Sequence, residues 1–438
     1  MMQTLFHENK HTLKLAFPII ISHLGQVLLG LTDTLMIGRV GTVELAAVAL
    51  MNILIHLVMV LAFGLSIAVT VQVSHAHGAG ESGGGKSALF HGLTLSAILG
   101  TGVWIAMIFS TPWLQRIQQP PEVLAVLPDY LQWIAPSMAL MMPVIVIKSF
   151  AEAQNRPWGV FWIQIGGVLL NIALNAVLIF GMYGVPALGL TGAGIATFIA
   201  RLLTLGGLGF FVFRPRFLPP DPVRLRLAEY WDLLRLAAPI TTQMLMEFGA
   251  FAVSALLIGQ LGSLPMAAHQ IALTCATASY MIPMGLSSAV GIRVGHAMGA
   301  GARERCRQIL WGAQGTTVLI MGSFAALYLG AGRWTAAAFT PEPELITLAA
   351  TLLSIAGVFQ LFDGIQVVSV GALRAMKDVK VPTLLSMLGY WGVAFPFGVW
   401  LGFGLERGVT GFWTGLATGL GIAAFSMSLR LIWLLRKS

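Results

Sequence analysis

The sequence predicts an all-α membrane protein of about twelve transmembrane helices in two six-helix lobes related by a parallel repeat. Three observations carry this prediction: a composition too apolar for water, basic residues confined to every second loop, and self-similarity at one fixed offset. Of the 438 residues, 57% are hydrophobic and only 10% are charged, and the mean hydropathy is +0.84. A soluble domain carries about 25% charged residues, so lipid must solvate much of this surface. The 50 glycines fit the same picture, because small residues let membrane helices approach closely. Gly411, Gly415 and Gly419 repeat at i+4 and predict one such seam.

A spanning helix needs about 20 apolar residues. Read in order, the apolar runs are 15–37, 47–72, 88–111, 127–147, 159–180 and 188–213, then 233–258, 268–292, 309–330, 345–373, 382–403 and 410–434. Met1 to Lys14 is polar without a cleavage-type site, so the first run is expected to stay as a helix rather than be removed. The strongest breaks are the glycine segment 78–85 and the stretch Arg214 to Asp232, with Pro215, Pro219, Pro220 and Pro222. The expected organisation is therefore an N-lobe over 1–213, a cytoplasmic linker over 214–232, and a C-lobe over 233–438.

Charge placement orients the spans. Twenty Lys or Arg fall on one face, among them Lys86, Lys148, Arg293 and Arg374. The other face has Arg39, Arg116, Arg333 and Arg407, and Arg201 lies within a span. Basic residues stay on the cytoplasmic side. Both termini and the linker are thus expected in the cytoplasm of a multi-pass protein of a bacterial inner membrane. The net charge of +8 is spread over alternate loops, which argues against nucleic acid as a partner. Cys275 and Cys306 form no disulfide or metal pattern.

At an offset of 221 Pro18 maps to Pro239, Gly38 to Gly259, Gly64 to Gly285, His75 to His296 and Gly80 to Gly301. An even number of spans per half makes the repeat parallel, and substrate sites of such transporters lie near the repeat interface. Matched residues read as scaffold, and polar residues that break the match read as functional. Asp33 faces Ser254, Glu247 faces Gln26, and Asp363 faces Met142.

Asp33, Glu247 and Asp363 are the acidic residues deep in apolar runs. Each costs about 2.5–3.5 kcal/mol to insert, which suggests a proton or cation site rather than a structural ion pair, since Arg201 reads as the only deep base. Gln26 and Asp33, like Glu247 and Ser254, are two helical turns apart on one face. Asn171 and Asn175, four apart, suit either hydrogen bonding to Asp33 or interhelical packing. His56 and Arg201 read as packing or snorkelling residues. Met244, Met246, Phe248, Phe251, Met281, Met284 and Trp391 are chiefly packing residues, some of which could line an adaptable pocket. Gly80 to Ser87 matches G-x-x-x-x-G-K-[ST] but follows a membrane span rather than a strand, so it reads as a flexible loop without nucleotide. His75-x-His77 also reads as loop.

Several segments carry a resemblance. QVLLGLTDTLMIG (Gln26 to Gly38), NIALNAVLIFG (Asn171 to Gly181), AAHQIAL (Ala267 to Leu273), IRVGHAMG (Ile292 to Gly299) and FQLFDGIQVVSVGALRAMK (Phe359 to Lys377) are similar to the multidrug and toxic compound extrusion (MATE) family, nearest its NorM-like branch. The resemblance implies a V-shaped pair of lobes and export of lipophilic, cationic, drug-like molecules by H+ or Na+ antiport. It implies no cofactor and no enzymatic activity, and a monomer is expected. It places a cation site at Glu247 and Asp363, where Na+ could bind, and a polar N-lobe site at Asp33, Asn171 and Asn175. Some Na+-coupled relatives have Tyr where this chain has Phe359, which favours H+. The alternative is a lipid-linked sugar flippase of the same superfamily, which would call for a more basic cavity; a channel and an intramembrane enzyme fit less well.

Overall fold

No water reaches the middle of a bilayer, so a crossing segment must satisfy its own backbone. The computed structural model of the chain is helical accordingly. It describes residues 2–109, 120–214, 218 and 222–437. Arg116, Arg216, Pro215, Pro219 and Pro220 lie outside the described residues.

Among the described residues twelve helices are long and apolar enough to cross a membrane. The first six are α1 (Met2–Gly38), α2 (Thr42–Gly78), α3 (Ser82–Phe109), α4 (Pro121–Ala153), α5 (Pro157–Phe180) and α6 (Gly189–Val212). The next six are α7 (Leu227–Gly259), α8 (Ser263–Gly299), α9 (Arg303–Ala337), α10 (Pro343–Ala375), α11 (Lys380–Gly404) and α12 (Gly408–Lys437). Each expected span is present. Most extend past the apolar run, because a helix continues through the interface until a turn stops it. Pro121, Pro157 and Pro343 open their helices, where the missing N–H costs nothing. α11 widens into π turns at Leu388–Ala394 and Trp400–Gly404, on either side of Phe395–Val399. Pro396 cannot donate to the ladder there.

The chain divides into two compact units, Ile21–Thr241 (the N unit) and Met1–Ile20 with Thr242–Ser438 (the C unit). The first part of α1 thus belongs to the C unit and the first part of α7 to the N unit. The two breaks fall one repeat length apart, just after Pro18 and Pro239. Packing within each unit follows the same rule. A Cβ on Gly64 would lie 1.9 Å from Thr241 Oγ1, and one on Gly285 would lie 2.4 Å from Ile20 Cγ1. Only glycine admits either approach.

The predicted seam is present. Cβ atoms on Gly411, Gly415 and Gly419 would fall 2.6 Å from Gly402 N, 2.4 Å from Gly398 Cα and 2.3 Å from Gly389 O. α11 and α12 therefore touch backbone to backbone.

Four readings change. The offset is 221 from α2 to α8, but α4 and α10 start and end 222 residues apart. Asp363 therefore faces Met141 rather than Met142. Glycine segment 78–85 is a tight turn, with Gly80 at φ 74, and α3 already runs from Ser82. Its G-x-x-x-x-G-K-S letters lie between two helices and form no phosphate-cradling loop after a strand. His75 and His77 sit on the last turn of α2 rather than in a loop. Finally, Arg201 is not the only base that acts on a carboxylate within the spans, as the C unit shows.

Candidate functional site: two polar clusters, one in each unit

In the C unit, α7 presents Gln243 and Glu247 one turn apart. Both point toward α10 and the start of α11. Glu247 Oε1 accepts from Gln243 Nε2 (3.1 Å), Gln366 Nε2 (3.1 Å) and Ser386 Oγ (3.2 Å). Gln243 Nε2 also donates to Ser386 Oγ at 2.9 Å. Tyr390 donates its hydroxyl to Gln366 Oε1 at 3.3 Å. Glu247 is thus held by three neutral donors on one oxygen, and its second oxygen has no hydrogen bond among the described residues.

Asp363 is buried on α10, 7% exposed. Its carboxylate makes no hydrogen bond among the described residues, and it lies within electrostatic reach of Glu247. Two carboxylates, one buried and one half-buried, that repel one another and keep unused acceptor oxygens can accept a cation or a proton. Among the described residues no three of His, Cys, Asp and Glu come together as a metal cluster. Ser254 is buried on α7 but does not bond to Glu247. Two turns separate them by about 10 Å along the axis, so sharing a face does not bring them into contact. Gln26 and Asp33 are separated in the same way.

Phe359, one turn before Asp363, is buried. Its ring meets Phe251 edge-on at 5.9 Å and Trp413 at 6.0 Å. It walls the site and offers no oxygen.

By sequence Arg374 falls among the cytoplasmic-face charges. It is on the last turn of α10 and turns into the cluster. Its guanidinium donates to Gln243 Oε1 at 3.1 Å and acts electrostatically on Glu247. Only its distance from the helix end could have hinted at this.

In the N unit, Asn175 Nδ2 donates to Asp33 Oδ1 at 2.6 Å and to Asn171 Oδ1 at 3.0 Å. Asn171 Nδ2 reaches Thr197 Oγ1 at 3.4 Å. Asn171 and Asn175 are buried, and Asp33 is half-buried. Arg201 donates to Ser137 Oγ at 2.8 Å and faces Asp33 and Tyr130 electrostatically. It therefore belongs to this cluster rather than being a snorkelling residue. His56 stands apart, exposed, with Nδ1 2.7 Å from Asn52 O.

Comparison with known proteins gives the family. The chain is 35% identical to a probable multidrug resistance protein NorM of Idiomarina loihiensis, over 95% of this chain and 92% of the relative. It is 33% identical to the multidrug resistance protein NorM of Burkholderia vietnamiensis, over 96% and 92%. A Vibrio cholerae MATE transporter, VcmN, superposes with a TM-score of 0.91 at 20% identity, covering 100% of this chain and 99% of that one. A MOP superfamily transporter from Pyrococcus furiosus, reported to have a binding pocket of reversed polarity, superposes with a TM-score of 0.89 at 19% identity, over 98% and 96%. The family model described as MatE matches residues 18–177 and again 239–400, two matches that begin one repeat apart. This is a multi-pass membrane protein, and its chain belongs to the MatE family of transporters.

Proposed function

We propose that this protein exports lipophilic cationic drug-like compounds by antiport against H+ or Na+, through alternating access. The observation that carries the reading is the pair Glu247 and Asp363, two carboxylates with unused oxygens inside a membrane-spanning unit. Such a pair can be neutral when protonated and charged when holding a cation. A drug and an ion that each favour the conformation the other leaves are thereby exchanged. Asp33 with Asn171 and Asn175 forms the second polar site, for substrate or proton. Phe359 leaves Na+ without an oxygen at that position, so H+ is the coupling ion this reading favours. The protein acts as a monomer in the bacterial inner membrane, with both termini cytoplasmic, and it is not an enzyme and needs no cofactor. The moving parts of this scheme are the repeat-bounded lobes 1–213 and 233–438, linked by 214–232, with the first part of α1 moving with the C unit and the first part of α7 with the N unit.

The test is dye export from proteoliposomes under an imposed pH or Na+ gradient. Export that follows either gradient and stops when it collapses is expected. Export that needs ATP, or transport of a lipid-linked sugar instead of cations, would overturn the reading.

A further inference from the structure

Glu247 and Arg374 do not touch. Among the described residues no nitrogen of Arg374 comes within 4.0 Å of a carboxylate oxygen, although ion pairs of that length occur elsewhere in this unit, as between Arg430 and Asp378 at 2.8 Å. A single side chain, Gln243, joins the two. Its Oε1 accepts from the guanidinium and its Nε2 donates to Glu247. Arg374 Nε is buried with no hydrogen-bond partner. A guanidinium nitrogen buried without a partner normally carries a high cost, so an arginine kept in this setting needs a reason.

The repeat points to one. α4 and α10 correspond at 222, and the turn residues Asn155 and Lys377, both at left-handed φ of 61 and 60, correspond at the same spacing. Arg374 therefore stands where the N unit has Glu152, and Glu247 stands where the N unit has Gln26. The anion and the cation of the C unit occur together, whereas the N unit has a neutral Gln26 at the first position and an anion, Glu152, paired with Lys148, at the second. Arg374 is thus not part of the shared scaffold.

We infer that Arg374 is a tethered counter-cation of the Glu247–Asp363 site and sets its charge so that one monovalent cation neutralises it. This rests on the cation-site reading above. Two ionised carboxylates and one guanidinium leave one net negative charge, which a single Na+ or proton cancels. Without the guanidinium the site would carry two, hold its ion too tightly and release it poorly. Gln243 keeps the guanidinium close enough to act through space, yet off the carboxylate oxygens that an ion must occupy. Arg374 is a positioning residue in this scheme: it touches neither ion nor drug.

The test titrates the detergent-solubilised full chain with Na+ at fixed pH, and with H+ in Na+-free buffer, reading tryptophan fluorescence. Trp391, whose Nε1 donates to Met246 O at 3.0 Å, lies beside Glu247 and reports on the site. Arg374→Gln is expected to lower the half-saturating concentration of the responding cation by about tenfold or more, the effect of removing one nearby positive charge, while gradient-driven dye export falls. Arg374→Lys, which keeps the charge, is expected to stay within about twofold of the wild type in the titration. A half-point unmoved in Arg374→Gln, whatever happens to transport, overturns the inference. So does a tenfold shift in Arg374→Lys, which decides the matter if Arg374→Gln does not fold. A wild type that responds to neither cation overturns the cation-site reading and this inference with it, whereas a responsive wild type with an unresponsive Glu247→Gln leaves that reading standing whatever Arg374 does.

Discussion

Glu8 and Glu229 stand 221 residues apart, one repeat, and each anchors the first part of a helix to the unit that its own half does not supply. Glu8, on α1, pairs with Arg293 of α8 and with Arg305 of α9 at 3.1 Å. Arg293 also donates to Thr12 Oγ1 at 2.5 Å. Glu229, on α7, accepts from Ser87 of α3 and lies 3.5 Å from His91 Nδ1, while His91 Nε2 accepts from Arg226 N at 3.0 Å. The same position in the repeat does the same work with different partners: a charged pair in one unit, a hydroxyl and an imidazole in the other.

The Glu8 anchor is the more costly to break. Glu8 and Arg293 are 8% and 7% exposed, and removing one partner of a buried pair costs about 3–5 kcal/mol by leaving the other charge uncompensated. Glu8→Gln should lower the thermal unfolding midpoint in detergent clearly, and Glu8→Gln with Arg293→Met should recover part of the loss. Glu229→Gln, which removes a half-exposed carboxylate, should cost about 1 kcal/mol. Equal effects from the two substitutions would count against the assignment.

The carboxylate pair should carry coupling. Glu247→Gln and Asp363→Asn keep size and hydrogen-bonding groups and remove the ionisable oxygen. Each should abolish gradient-driven dye export while leaving the unfolding midpoint close to that of the wild type. Full export by the double variant would mean that both carboxylates are structural.

The N unit offers a separate test. Asp33→Asn should reduce export, and Asn175→Leu should reduce it similarly, because Asn175 supplies the 2.6 Å hydrogen bond to Asp33 and the link to Asn171. If Asn175→Leu transports like the wild type, Asp33 does not depend on that amide.

Lys86 lies within the first turns of α3, in letters that imitate a nucleotide loop. Lys86→Ala should insert normally and retain export within about twofold, since no phosphate site is built there. Loss of export together with loss of measurable ATP binding would reverse this.

Gly415→Ala tests the seam between α11 and α12. The added methyl would meet Gly398 backbone at 2.4 Å, and overpacking of this kind costs about 1–3 kcal/mol. Gly330→Ala on α9, where nothing lies within 4 Å, should be neutral or slightly stabilising. A lowered unfolding midpoint for Gly415→Ala alone is the expected result.

Local chemistry was enough to make much of this protein legible in the sequence. Length and hydropathy of each run determined twelve spans, because a bilayer demands helices about 20 residues long. The repeat at 221 determined two related halves, and the insertion cost of Asp33, Glu247 and Asp363 marked them as candidate site residues. The two asparagines lie one turn apart in sequence, and Asn175 reaches Asp33 directly while Asn171 is linked to it through Asn175. Tertiary structure decided the rest. A salt bridge 285 residues long in sequence, Glu8 to Arg293, places the start of α1 in the C unit, and no local pattern encodes such a pairing. Arg374 looked like a loop charge because hydropathy weighs a residue by its neighbours in sequence. It acts on Glu247 because Gln243 of α7 bridges the two, and distance in space rather than along the chain sets what a charge acts upon.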